Sequence, residues 1–211
     1  MTKYLPLFPL GIVVYPGEKL NLHIFEPRYK QLIQECITNK TTFGIPSFLE
    51  NGIGEYGTEL KVLRVEKKYD NGEMDIKTQA LGIFRVIKLD KQAPGRLYPG
   101  GEVQPQETDL SGDVFFRVEI EKLLRQLYEA LHITSLLLSL PADFKSFDVA
   151  HHLGLSLEQE YLLLQTKSEA DRQDFILQHL RAIVPVVHET ERLKERVKMN
   201  GHFKNLTPPE L

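Results

Sequence analysis

The sequence has no tryptophan and a single cysteine, Cys36, among its 211 residues. One cysteine excludes an intrachain disulfide and a cysteine-rich zinc site. Positive and negative charges nearly balance, with a formal net charge of -3. The sequence therefore offers no basic field for a polyanion, and nucleic acid is not an expected partner. A chain of this length buries enough apolar surface to fold without a disulfide or metal.

Long apolar runs are also absent. The densest stretch, Leu136–Leu140, is closed by Pro141 and is far shorter than a membrane-spanning helix. Residues 1–6 lack the continuous apolar region of a signal peptide. We therefore expect a cytoplasmic protein that has no membrane partner.

Motifs that carry catalysis are missing. Residues 16–20 (PGEKL) hold one glycine and no hydroxyl, unlike a P-loop, whose backbone amides cradle phosphates. Residues 52–57 spell G-x-G-x-x-G, but the strand before it and the helix after it that a dinucleotide site needs are not predicted. His188-Glu189 has Arg192 where a zinc protease has its second histidine. We predict no enzyme activity, no cofactor and no metal site.

Residues 1–105 are predicted to form a β-rich subdomain. Leu20, Leu22 and Ile24 alternate with polar residues, a strand follows from Thr58 to Tyr69, and Asp70-Asn71-Gly72 is a hairpin turn. A return strand from Met74 is expected to break at Gly82, and Val13–Tyr15 is read as a further strand. One helix is predicted after Pro27. Short strands with Gly and Pro turns indicate a closed or nearly closed antiparallel barrel.

Residues 106–201 are predicted to form a helical subdomain. Ile120, Leu124 and Leu127 recur at helical spacing, Ser156 with Gln159 forms a capping box, and Pro185 is expected to kink the last helix. Past Val187 the helix is almost wholly charged, and residues 202–211 are predicted to be a flexible tail.

The opening block closely resembles the N-terminal domain of Lon, the ATP-dependent protease. The similarity lies in Leu5–Leu10, Val14–Gly17 and Leu20–Tyr29 and continues through the Asn-Gly hairpin into the helical half. Its signature residues are Pro6, Phe8, Pro9, Pro16, Gly17, Phe25, Glu26, Arg28 and Tyr29. We interpret them mainly as structural, since Pro6 and Pro9 cannot donate ladder hydrogen bonds.

The resemblance implies an α+β fold, in which a PUA-like antiparallel β-barrel with one inserted helix precedes a helical bundle that ends in a long kinked helix. It also implies recognition of substrate proteins. The ATPase and the Ser-Lys peptidase of the full protease have no counterpart in this sequence. We therefore expect a non-catalytic module that binds unfolded or tagged proteins, with a protease or another quality-control protein as a candidate partner.

The candidate peptide-binding segment is residues 46–56. It holds Phe48, Leu49, Ile53 and Tyr56 in what is predicted to be a Gly-rich loop. Either these side chains stay accessible, or the loop folds back and buries them.

Two alternatives remain. In the first, the chain is an assembly module that docks a partner or a second copy through its last helix. Beyond Val187, Leu193 and Val197 are the only apolar pair of that helix. An RNA-binding role follows by analogy from other PUA-like folds, but the near-neutral β half argues against it. The oligomeric state is not predicted.

Overall fold

A computed structural model describes residues 1–138 and 140–202, with side chains through Lys198. Its six strands are β1 (Lys3–Pro6), β2 (Lys19–Ile24), β3 (Phe43–Leu49), β4 (Gly52–Lys68), β5 (Met74–Asp90) and β6 (Gly100–Pro105). Its α-helices are α1 (Pro27–Asn39), α2 (Val114–Ala130), α3 (Ser135–Leu138), α4 (Ser146–Val149), α5 (Leu157–Gln165) and α6 (Glu169–His202). A 3-10 turn covers Ala150–His152.

The chain divides into two compact units. Unit 1 contains Met1–Asp109 and Ala150–Lys167, and unit 2 contains Leu110–Val149 and Ser168–Leu211. The sequence analysis assigned Ala150–Lys167 to the helical half, whereas in the structure this segment returns to the β unit. The cause is tertiary, because the His151 and Tyr161 side chains and the Glu160 carbonyl bond to partners in the first 60 residues of the chain.

Unit 1 is an antiparallel barrel. The strands lie in the order β1-β6-β5-β4-β3, and β2 pairs with the first half of β5. The segment that follows β1 pairs with β3 in two isolated bridges, Leu7–Gly44 and Leu10–Ser47. These bridges join the two ends of the sheet. The predicted barrel is confirmed.

The core of unit 1 lies between the sheet and α1. The rings of Phe8 and Tyr29 stack with centroids 3.8 Å apart, and Leu32, Ile33 and Phe43 are fully buried. The helix predicted after Pro27 is therefore confirmed, with its apolar stripe facing the sheet.

Three strand predictions were wrong in detail. Met74–Asp90 is one continuous strand, because a bulge at Leu81 absorbs the irregularity expected as a break at Gly82. Val13–Tyr15 is buried but belongs to no strand, since the Thr58 hydroxyl donates to the carbonyl of Val14. Residues 46–56 form a β-hairpin and not a loop.

Unit 2 is built on the packing of α2 against α6. Ile120, Leu124 and Leu127 of α2 are buried, as their spacing predicted, and Ile176 and Leu180 are buried on α6. The N-cap of α2 is Asp113, whose carboxylate accepts from the amides of Phe115 and Phe116. The long final helix is present and contains Pro185.

A buried ion pair stabilises the first turn of α6. Glu169 and Arg172 have fully buried side chains 2.8 Å apart. The second oxygen of Glu169 accepts from the amide and hydroxyl of Ser146, at 2.8 and 3.0 Å. The Ser146 hydroxyl thus donates a hydrogen bond to a side chain of α6. The Arg172 guanidinium lies 4.3 Å from the centre of the Phe147 ring.

None of the helices in the described part of the chain is both long and apolar enough to cross a lipid bilayer.

Candidate functional site

The β3–β4 hairpin carries the four candidate binding residues. Phe48 pairs directly with Ile53, and Leu49 pairs with Gly52 at the turn. Leu49, Ile53 and Tyr56 are half-buried, whereas Phe48 is 52% exposed. The structure thus lies between the two outcomes that the sequence left open, with one exposed aromatic ring and three partly covered side chains.

The exposure of Phe48 follows from the backbone. The register of β3 against β4 shifts between Pro46 and Phe48, so Ser47 is buried and the next side chain faces solvent. The amide of Phe48 donates to the carbonyl of Leu10 at 2.7 Å, which fixes the backbone. The ring is therefore presented from a strand held on both sides, not from a mobile loop.

Helix α5 contacts the hairpin through Tyr161. The Tyr161 hydroxyl accepts a hydrogen bond from the amide of Tyr56 at 2.8 Å. Gly54 leaves room for this ring, since a Cβ at that position would lie 2.6 Å from the hydroxyl oxygen. The G-x-G-x-x-G pattern thus serves packing at this position, because only a glycine lets the ring approach the strand so closely.

A hydrogen-bonded network holds α5 in place. His151 lies between two carboxylates, with its Nε2 2.9 Å from Glu18 and its Nδ1 2.8 Å from Glu160. Glu18 also accepts from the amide of Tyr15 at 3.0 Å. The Tyr15 hydroxyl donates to the carbonyl of Glu160 at 3.0 Å. Glu160 and Tyr161 are neighbours, so this network positions the ring that supports the hairpin.

The electrostatics of the network favour a charged imidazole. The Glu18 carboxylate raises the pKa of His151 to about 9, and Glu160 acts in the same direction. At neutral pH the imidazolium therefore donates both N–H groups. Burial raises the pKa of Tyr15 well above its ordinary value, so the phenol stays protonated and keeps its hydrogen bond.

The single cysteine of the sequence, Cys36, is buried. Burial raises the pKa of Cys36 to about 11, so its thiol stays protonated and is a poor nucleophile at neutral pH. Among the described residues, no group of three or more His, Cys, Asp or Glu side chains is placed to hold a metal ion.

The comparison that decides the family covers most of the chain. Residues 4–182 match the family described as the ATP-dependent protease La (LON) substrate-binding domain. The chain belongs to the Lon substrate-binding domain family.

Solved structures agree with this family. The Lon N-terminal domain protein from Xanthomonas campestris is 25% identical, with a TM-score of 0.65, and the match covers 83% of this chain and 98% of that one. The N-terminal domain of the Mycobacterium avium complex Lon protease is 17% identical, also with a TM-score of 0.65. That match covers 85% of this chain and 98% of that chain and shows the shared fold.

Two of the nine Lon signature residues, Phe8 and Tyr29, are buried, and the other seven are partly buried or exposed. Phe8 and Tyr29 stack in the core, and Gly17 has a φ of +92°, which favours glycine. Arg28 bonds Glu26 at 2.7 Å and lies 4.6 Å from the Tyr29 ring centre. The Glu26 carboxylate makes no cap hydrogen bond to the amides of α1. In this Lon domain the carboxylate pairs with Arg28 instead.

Phe25 is a signature residue with a large apolar side chain that is exposed. It is 57% exposed and stacks on His23, with ring centroids 6.0 Å apart.

Sequence reasoning missed the residues that position the site. Neither His151 nor Tyr161 was predicted to act at the site. The contact between Tyr56 and Tyr161 joins positions 105 residues apart. The available signal was a tyrosine beside a charged residue in the middle of a capped helix, which does not identify the partner of the tyrosine.

Proposed function

We propose that this Lon-family domain is a non-catalytic module that captures unfolded or tagged proteins and works as an adaptor in cytoplasmic protein quality control. The observation that carries the proposal is the half-exposed ring of Phe48 on the hydrogen-bonded β3–β4 hairpin. Unfolded chains expose apolar side chains that a native surface does not, so an anchored aromatic ring flanked by strand backbone suits their capture. Membership of a substrate-binding family supports the same role.

The test replaces two hairpin side chains. The double variant Phe48→Ala and Tyr56→Ala is titrated against a fluorescein-labelled, permanently unfolded protein, such as reduced and carboxymethylated α-lactalbumin, by fluorescence anisotropy. We expect weaker binding with an unchanged melting temperature. Equal binding by the variant and the wild type would remove the hairpin as the site. Turnover of casein or ATP by the purified chain would contradict the non-catalytic role.

A second candidate function rests on α6. Val186, Leu193 and Val197 are exposed, and their spacing of seven and four residues places them on one stripe of the helix. This stripe suits a small contact with another helix, as in an assembly module. Light scattering of the variant Leu193→Glu with Val197→Glu tests it, since a dimer of the wild type would dissociate. A wild-type chain that stays monomeric at all concentrations excludes self-assembly through this stripe.

A further inference from the structure

One edge of β4 is unpaired over half its length. The ladder between β3 and β4 ends at Phe43 and Leu60, whereas β4 continues to Lys68 with β5 on its other side. In the described residues, no strand pairs with the second side of residues 61–68. Backbone N–H and C=O groups on such an edge can take up another extended chain.

The unpaired edge borders a cavity. The cavity has a volume of about 430 Å³ and lies where β3 would continue if it extended backwards. Its lining residues are Cys36, Ile37, Lys40, Thr41, Thr42 and 61–65. The cavity therefore lies between the end of α1 with residues 40–42 on one side and the strand on the other.

A bulge in β4 contributes an apolar wall. Val62 pairs with Thr78 and Arg64 with Lys77, which leaves Leu63 without a cross-strand partner. Strict alternation would put Val62 and Leu63 on opposite faces, but both line the cavity. The bulge re-aims a side chain, a device common beside binding sites. Together with Ile37 and Val65, these residues provide an apolar surface for the side chains of a bound strand.

The cavity rim is positively charged. Lys40, Lys61 and Arg64 line it, and no carboxylate does. Arg64 pairs with Glu66, whereas neither Lys40 nor Lys61 has an ion-pair partner among the described residues. Lysines on an edge strand prevent pairing with a second copy of the same strand, because like charges would meet. The same lysines favour an incoming strand that carries carboxylates.

We propose that the β4 edge at residues 61–65 binds an extended peptide of alternating apolar and acidic residues, which pairs with the strand backbone and places its carboxylates beside Lys40 and Lys61. The inference rests on the proposed function, because the peptide would be a segment of a captured protein. It adds to the hairpin a second surface with a chemical preference. Phe48 contacts the apolar side chains that unfolded proteins expose. The β4 edge adds a preference for extended segments that carry acidic residues.

The test uses three short fluorescein-labelled peptides. The first alternates valine and glutamate, the second replaces glutamate with lysine, and the third is the first with N-methyl groups on alternate amides. The first should bind the full chain, and the second should not, because its charges meet Lys40 and Lys61. The third keeps the charges but loses backbone donors, so it should bind at least about tenfold more weakly.

A matched pair of variants locates the site. The variant Lys40→Glu with Lys61→Glu should weaken binding of the valine–glutamate peptide by about tenfold or more. The control Lys88→Glu with Lys91→Glu makes the same change in net charge on exposed positions of unit 1 that do not line the cavity. It should bind as the wild type does. Hydrogen exchange of the amides of residues 61–65 should slow when the peptide is bound.

The outcomes separate this inference from the proposed function. Equal binding of the N-methylated peptide, equal binding by the two charge-reversal variants, or unchanged exchange at residues 61–65 would overturn edge binding. If the unfolded protein binds through the hairpin and the valine–glutamate peptide does not bind, the proposed function stands and edge binding falls. If neither probe binds, both fall.

Discussion

The hydroxyl of Tyr161 accepts a hydrogen bond from the backbone amide of Tyr56 at 2.8 Å. This bond ties α5 to the strand that carries half of the candidate site. The binding hairpin therefore depends on a segment that the chain reaches only after leaving unit 1 and returning to it. We expect substitutions in α5 to affect hairpin function without touching a bound protein.

Removing the Tyr161 hydroxyl tests this support. The Tyr161→Phe variant leaves the Tyr56 amide without its partner, and we expect the free energy of unfolding to fall by about 1 kcal/mol. Hydrogen exchange of the Tyr56 amide should accelerate. Leu162→Ala, at an exposed neighbouring position, serves as the control and should change little. An unaltered exchange rate at Tyr56 would contradict the supporting role of α5.

The close approach of Tyr161 makes a second prediction, about Gly54. An added Cβ would lie 2.6 Å from the tyrosine oxygen, so Gly54→Ala must displace the ring or the strand. We expect a loss of about 1–3 kcal/mol of unfolding free energy. Gly82→Ala, on the neighbouring strand with no atom within 4 Å of the new Cβ, should be neutral. Chemical denaturation of both variants makes the comparison, and equal stability would show that the ring is free to move away.

His151 predicts how stability depends on pH. Its pKa is raised to about 9 in the folded protein, above the unfolded value of about 6.5. The folded state therefore binds this proton more tightly, and its stabilisation is complete below about pH 6.5 and is lost as pH rises through about 9. Relative to His151→Gln, the wild type should lose stability between about pH 7 and 9.5. Parallel stability curves for the two proteins would show that the carboxylates do not hold a charged imidazole.

The buried pair in unit 2 predicts a larger effect. Arg172→Met leaves the Glu169 carboxylate buried without its counter-charge, and we expect a loss of about 3 kcal/mol or more. Arg181→Met breaks an exposed pair with Glu119 and should cost less than about 1 kcal/mol. Thermal unfolding of both variants distinguishes them. Similar melting temperatures would mean that Arg172 is not held by Glu169 in solution.

Local signals in the sequence predicted many of these elements. The Asn-Gly turn between β4 and β5, the capping box at Ser156 and the apolar stripe of α2 each depend on residues a few positions apart, and all three are present. Propensity and spacing suffice for such features, because neighbouring residues determine them.

Long-range contacts decided the rest. Residues 46–56 look like a loop because they contain glycines. The glycine that follows them, Gly57, is instead required by strand pairing, because a Cβ there would lie 2.5 Å from the Cα of Pro46 on the opposite strand. The placement of Ala150–Lys167 in unit 1 depends on bonds from His151 and Tyr161 to residues more than 100 positions earlier. A single sequence does not reveal which partner a buried polar side chain will find.

Site-specific crosslinking tests the central claim, capture of unfolded protein at the hairpin, most directly. A photoreactive phenylalanine analogue is placed at Phe48 or, as a control, at Leu97, which is exposed to a similar degree in unit 1, 58% against 52%. Both chains are irradiated with reduced and carboxymethylated α-lactalbumin, and the crosslinked product is measured. We predict a high yield at position 48 and a low yield at position 97. Equal yields at the two positions would contradict the account.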